Sequence, residues 1–347
     1  MTDLPRVGVL HAPRSAAGLG DIERAAGSRC RPVILIDARD AREHPASVRA
    51  AATRFPVAVA TSDSLPQIVA RLDLRGVTTF HDARLEQADR IARQLGAPRM
   101  TIEGCWDRLA VRTTLARHGL SAIASQPVDT PDDLRRIVAA SSGVRVLRSR
   151  QHQAAGRASL IADAADVQRE IARRRRWSGL LLETRPSPLG RQAAAGCVAS
   201  ISVLTVNEHR AHHHLGLWDN IATGAPFGVD RRLAATVTRP TRLPEHQRTV
   251  LTRFVSRCLD VLGVRWRVAH TELALTPQGI EVLDVDVCPG ARLTRHLGCS
   301  GADLVADALT LAIGAWPVAR EVDGRYARPG CRRESRPMAI RMHQGVG

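Results

Sequence analysis

Residues 268–298, VAHTELALTPQGIEVLDVDVCPGARLTRHLG, read as two strands joined by a turn. In His270–Leu275 the side chains alternate, with Thr271, Leu273 and Leu275 on one face and His270, Glu272 and Ala274 on the other. Thr276-Pro277-Gln278-Gly279 has turn chemistry, Pro early and Gly late, and Ile280–Val287 resumes a β-branched run. Asp284 and Asp286 stand two apart, so both carboxylates leave the same face. Pairing about the turn brings Glu272 near them. Converging carboxylates repel one another unless a cation or a basic group sits between them, and ligation by oxygen alone suits Mg2+ or Mn2+. The same spacing also describes a hairpin with a solvated acidic face, and the residues alone leave both readings open.

The order H-T-E-L, turn, I-E-V-L-D-V-D-V-C-P-G-A resembles the metal-binding hairpin of ATP-grasp ligases. It is most similar to the carboxylate–amine branch that includes the L-amino-acid ligases, whose pattern runs H-x-E, turn, then (I/V)-E-(I/V)-N-P-R-x-G-G. The resemblance implies that Glu272 is the first acidic metal ligand and Asp284 the second, with Asp286 standing for the Asn. Cys288 falls where the family has Arg. Arg292 and Arg295 lie just beyond and are the expected replacements for that missing cation.

The chain has 347 residues, enough for two or three ordinary cores, and at 44% hydrophobic and 24% charged it reads as globular. It contains no lysine, so all 50 basic residues are arginine, and against 34 acidic residues they give a net charge of +16. Such a balance favours polyanions, yet aromatics are only 3%, which leaves few stacking platforms for single-stranded nucleic acid. The arginines are also spread through helical segments, with Arg173–Arg176 the one run of four. Nucleic acid is therefore the second class of partner, behind small molecules. The seven cysteines show no C-x-x-C spacing, no leader pattern opens the chain, and no apolar run approaches 18 residues, so a reduced, cytoplasmic protein without membrane spans is expected.

From the N-terminus, residues 6–10, Pro32–Asp37 and Pro56–Ala60 read as buried strands, with helices from Asp21 and over Ala46–Arg54 between them. That alternation predicts a small parallel α/β sheet. Gly18-Leu19-Gly20 is a plain turn, since a lone G-x-G is weak evidence for a phosphate loop. Arg84–Leu95 is an amphipathic helix closed by Gly96. In Trp106–Leu120, Leu109, Thr113 and Ala116 share a helical stripe. That helix resembles the family's D-K-x-x-x-R-x-x-L-x-x-x-G element, with Arg108 in the place of a phosphate-contacting Lys and Arg112 in the Arg place.

Asp132–Ala140 is expected as a helix and Val144–Arg148 as a strand. By resemblance Arg148 matches the family's second phosphate-binding Lys, and the loop Ser149–Ser159 stands where the family has a glycine-rich flap, although it offers Gly156 alone. After a basic helix over Val167–Trp177, Leu180–Glu183 resembles the hinge strand whose linker holds adenine. Glu183 is then its first acid, Thr184 replaces the second, and Arg185–Pro186 forms the linker, while Gln192 stands for a Glu that contacts ribose. Cys197–Asn207 is a long strand. The following His212-His213-His214 cannot all bind one ion, because neighbours on a strand face opposite ways. Pro244–Leu262 is an apolar-striped helix, Gly301–Ile313 resembles the family's G-x-D-L helix, and disorder is expected from about residue 330.

Taken together the resemblance implies an α/β chain with a Rossmann-like domain over 1–98, then a two-lobed ATP-grasp domain. Its small lobe would span 99–183, its C-terminal lobe with the hairpin 184–318, and a basic tail 319–347. The implied activity is ATP-dependent joining of a small-molecule carboxylate to an amine, with ATP and Mg2+ (or Mn2+) bound. Two further readings stay open: a degenerate ATP-grasp protein that binds nucleotide without turnover, and an Arg-rich nucleic-acid binder. Substrate identity and oligomeric state are not readable.

Overall fold

The computed structural model describes residues 3–13, 15–61, 64–98, 106–140, 142–151, 158–186, 198–222, 236–288 and 303–315. Gln192, Arg292, Arg295, most of the flap and the tail lie outside these residues.

The first unit is a parallel sheet with helices on its faces. Its elements run β1 (Arg6–His11), α1 (Leu19–Ala26), β2 (Arg31–Asp37), α2 (Ala38–Glu43), α3 (Pro45–Ala52), β3 (Val57–Ala60), α4 (Leu65–Arg71), β4 (Leu74–Thr79) and α5 (Leu85–Gln94). The four strands lie in the order β3-β2-β1-β4. The runs VGVL in β1 and PVILI in β2 are buried without a break, as strands covered on both faces should be. β4, LRGVTT, has no such run and is not visible as a strand in the sequence, yet only Arg75 in it is exposed.

The second unit comprises α6 (Arg108–Arg117), β5 (Ser125–Val128), α7 (Pro131–Ala139), β6 (Arg145–Ser149), β7 (Ser159–Ile161), α8 (Ala164–Arg173) and β8 (Leu180–Thr184). Its antiparallel sheet has the order β5-β8-β6-β7. Two helices depart from expectation for local reasons. α8 begins three residues earlier than Val167 because Asp163 accepts the Asp166 N–H (2.9 Å) and caps it there, and it ends at Arg173, so Trp177 lies beyond it. α6 buries Val111, Arg112 and Leu115, whereas Thr113 and Ala116 are exposed. A hydrophobicity stripe passes over Arg112, whose burial depends on partners from elsewhere in the chain.

The third unit holds β9 (Val198–Asn207), β10 (His212–Ala222), β11 (Thr236–Pro240), α9 (Glu245–Val261), β12 (Arg267–Thr276), β13 (Gly279–Asp286) and α10 (Leu304–Ala312). Its strands form an antiparallel sheet in the order β11-β10-β9-β12-β13. α9 packs Leu251, Val255, Cys258 and Leu259 against the core-facing side of β12–β13, where Leu273, Val282 and Val285 are fully buried. The opposite face carries the acids. α10 runs back to the first unit. Leu304, Leu309 and Leu311 share one core with Val7, Ile34 and Phe80 of the parallel sheet and with Leu204 and Val268 of the antiparallel one. The approach is close enough to demand glycine: a Cβ on Gly76 would lie 1.8 Å from the Ala312 carbonyl oxygen. Among the described residues no helix is long and apolar enough to cross a membrane.

Candidate functional site: an arginine-lined cleft over the acidic hairpin

The hairpin pairs Glu272 with Asp284 and His270 with Asp286, which puts all four side chains on one face. Gly279 closes its turn at φ 129°, a conformation open to glycine, and its carbonyl accepts the Thr276 hydroxyl (2.9 Å). The register slips by one between Glu272 and Leu273, so Leu283 opposes no residue of β12. This is a β-bulge, and it frees main-chain carbonyls from the ladder. Arginines from the second unit take them. Arg112 donates to the Val282 carbonyl and, at 2.5 Å, to that of Leu283, while Arg148 donates to Leu283 at 3.2 Å.

The same arginines carry the charge of the site. Arg108 spans both oxygens of Asp284, Nε to Oδ1 at 3.4 Å and Nη2 to Oδ2 at 3.1 Å, and Arg148 Nη1 reaches Oδ2 at 3.3 Å. Glu183, at the end of β8, lies between Arg112 Nε on Oε1 and Arg148 Nε on Oε2, each at 2.6 Å. Burial pushes the Glu183 carboxyl up, but Arg112 and Arg148 outweigh it and hold the group below its ordinary range. Burial would likewise lower Arg148, and Asp284 with Glu183 keeps it above its usual value. Arg108 also donates to the carbonyls of Ser149 (3.1 Å) and Gln151 (2.9 Å), and Arg150 grips Asp107 at the cap of α6 (2.6 Å). The start of α6 and the end of β6 are thereby fixed against each other.

A second polar network crosses the face beside it. Ser200 donates to Glu272 Oε1, Asn220 Nδ2 donates to Ser200 (3.0 Å) and Ser202 (2.8 Å), and Ser202 meets His270 Nε2 at 2.8 Å. His270 Nδ1 is 3.8 Å from Asp286 Oδ2. Burial would lower the His270 pKa, and its acidic neighbours, Asp286 first, raise it instead.

Of the expected metal ligands, Glu272 and Asp284 are brought together, and Asp286 turns to His270. Among the described residues no three His, Cys, Asp or Glu side chains gather where an ion could sit, so the three-carboxylate cage is not formed. The reason is electrostatic: Arg108 of α6 and Arg148 of β6 meet Asp284 and His270 faces Asp286, which relieves their repulsion, while Glu272 is held by Ser200. What remains is two hard oxygen donors paired across the hairpin. That suits Mg2+, which keeps most of its shell as phosphate and water and takes only one or two carboxylates.

Thr184 and Arg185 leave β8 toward a cleft of about 140 Å3 that is bounded also by Ile123, Pro186, Gln278 and Glu281. Cys288 is 1% exposed and contacts the Thr79 carbonyl (Sγ to O 3.5 Å), with Arg267 rather than Arg108 or Arg148 as its basic neighbour. The three histidines of β10 go to different partners: His212 to Asn207 and Asp260, His213 to Glu208, His214 to Thr205 and Ser256. In the basic run Arg173 and Arg174 are tied to Glu170. Sequence reading did not single out Arg112 or the Ser200–Ser202–Asn220 set as site residues, although Arg112 stood in the Arg place of the resembled motif, four residues and one helical turn after Arg108.

This arrangement, a parallel α/β unit followed by two lobes whose sheets close on a cleft, is the ATP-grasp fold. No protein-family model matches the chain. A stretch of 106 residues is 32% identical to carnosine synthase 1 of Gallus gallus, covering 30% of this chain and 11% of that protein. The L-amino acid ligase of Bacillus licheniformis superposes with a TM-score of 0.68 at 16% identity, over 94% of this chain and 78% of the ligase. The biotin carboxylase domain of the Hydrogenobacter thermophilus 2-oxoglutarate carboxylase, in complex with MgADP, superposes at 0.65 and 14% identity, over 92% and 72% of the two chains. The likeness thus spans ligases, synthetases and carboxylases.

Proposed function

We propose that the chain is an ATP-dependent carboxylate–amine ligase. In that reaction the γ-phosphoryl group of ATP passes to a substrate carboxylate, and an amine then displaces phosphate from the acyl phosphate to leave an amide, ADP and phosphate. The observation that carries the reading is the convergence of Arg108 and Arg148, from one lobe, on Asp284 of the other. Fixed cations aimed at one point across a cleft are what a transferring phosphoryl group needs. Arg108 and Arg148 bind the phosphates, Arg112 and Glu183 hold Arg148 in place, and Thr184 with the Arg185–Pro186 linker takes the adenine edge. Mg2+ on Glu272 and Asp284 supplies further charge neutralisation when bound. Gln192 toward ribose, Asp286 beside the ion, and Arg292 or Arg295 as the cation on the acyl phosphate complete the set.

The test is ADP release from ATP and Mg2+ with pooled amino acids, followed by Asp284→Asn. Loss of about a hundredfold in rate is expected. Full activity in that variant, or activity unchanged when Arg292→Ala and Arg295→Ala are combined, refutes the corresponding role. A second reading, nucleotide binding without turnover, is favoured by Cys288, which is buried against Thr79 where the family has an arginine. A thermal shift with Mg-ATP and no ADP release from any amino acid would select it.

A further inference from the structure

Strand order β3-β2-β1-β4 means that the chain winds outward from β1 to β3 and then crosses back to β4 on the other side. The carboxyl ends of β1 and β4 therefore form a topological switch point, the place where open parallel sheets bind ligands. The side chains there are not those of an ordinary sheet edge. β1 ends in His11, and Leu10 lies beside Thr79 of β4. His81 follows β4, and Asp37 ends β2. Arg84 Nη2 meets Asp40 Oδ2 at 2.5 Å, and Arg84 Nη1 lies 3.6 Å from Asp37 Oδ2.

His81 Nδ1 accepts the Ala83 N–H (3.3 Å), which places its proton on Nε2. His11 Nδ1 is buried with no hydrogen-bond partner. Burial first, then repulsion by His81 at His11 and by Arg84 at His81, lowers both imidazoles, with Asp40 acting the other way on each. Asp37 and Asp40 stand against one guanidinium, and Asp82 follows His81 on the Cys288 side, so acids outnumber arginine in the cluster. Cys288 lies two residues past Asp286, roughly 7 Å of strand, and its sulfur contacts the Thr79 carbonyl at the end of β4.

We infer that this crevice binds a primary ammonium, that of an α-amino acid whose carboxylate reaches Arg84 and the His81 Nε2–H. The inference rests on the ligase reading, in which it is the pocket of the amine substrate. A zwitterion matches the cluster group for group: the ammonium meets Asp40 and the open nitrogen of His11, and the carboxylate takes up the guanidinium.

Binding is measured without nucleotide, by titration calorimetry with the protein amino acids, their N-acetyl derivatives and their amides. At least one free amino acid binds, its N-acetyl form does not, and its amide binds at least fivefold more weakly. Asp40→Asn and Arg84→Gln each weaken binding at least tenfold; Asp37 is left alone because it also caps α2 through the Arg39 N–H (2.8 Å). Binding within twofold of wild type in both variants overturns the inference, as does the absence of binding by every free amino acid. Should a variant fail to fold, a diazirine analogue of the best binder, photolysed on the wild-type protein, decides: labelling within 10–16 or 79–84 supports the site, and labelling only elsewhere overturns it. A parallel Mg-ATP thermal shift on the wild type separates this failure from that of the ligase reading.

Discussion

Replacing Glu183 by Gln removes one charge from the most buried ionic contact of the site. Its side chain is 5% exposed, that of Arg112 4% and that of Arg148 15%, and each carboxylate oxygen lies 2.6 Å from a guanidinium nitrogen. The neutral amide leaves two desolvated guanidinium groups with one acid, Asp284, between the lobes. Breaking a buried pair from one side costs about 3–5 kcal/mol. With a urea slope of about 3 kcal/mol/M the midpoint falls by about 1–1.7 M at neutral pH. The sign with pH follows from the direction of the shift. The folded-state pKa of Glu183 lies below the ordinary 4.5, so its stabilisation is complete above that value and fades as pH falls through the folded pKa. The gap between wild type and variant therefore narrows below about pH 4.5. Glu43→Gln, at the exposed partner of Arg39, is the control and leaves the midpoint in place. A shift at Glu183 under about 0.3 M, or a gap that stays constant on acidification, refutes the account.

Gly76→Ala sets a methyl group against the Ala312 carbonyl and displaces α10, with an expected loss of about 3 kcal/mol or more read from thermal unfolding; an unchanged Tm contradicts the packing. Burial pushes the thiols of Cys30 and Cys258 up to about 11 and about 12, so peptides containing them stay unmodified by iodoacetamide at pH 8 until the protein unfolds, as mass spectrometry will show. Burial, then His212 and His213, push His214 down to about 4, so its ring protons hold their neutral chemical shift in NMR titration down to that pH. Unfolded chains take up that proton near 6.5, so this group costs stability progressively as pH falls from 6.5 toward 4.

What the sequence displays depends on what fixes each element. β1, β2 and the β12–β13 hairpin carry their own patterns, continuous apolar runs in the first two and alternation about a turn in the last, and they are legible within a residue or two. β4 is not, since its threonines, arginine and glycine become a strand through pairing with β1 and through α10 pressing on Gly76. The site shows the same division. Glu272 and Asp284 can be placed opposite each other from alternation alone. That Asp284 faces arginines, and that Arg112 is buried, depends on contacts 136 to 176 residues apart in the chain, which no local pattern encodes. The bulge at Leu283 is of this kind too: it opens two carbonyls that only a distant helix and strand can fill.

The seating of α10 has a consequence for how the molecule is made. Synthesis delivers the parallel sheet first, with α1 already on the face it shares with α10, yet the rest of that face has no cover until residues 304–312 emerge, some two hundred positions after β4 is complete. Until then the ground that α10 covers beside Gly76 and Phe80 faces water or a chaperone, and the nascent N-terminal segment stays open there. A fragment ending before the second lobe would keep that raw surface and self-associate. Closure of the sheet is thus among the last events of assembly, with the C-terminal helix acting as a clasp that locks the earliest strands to the latest.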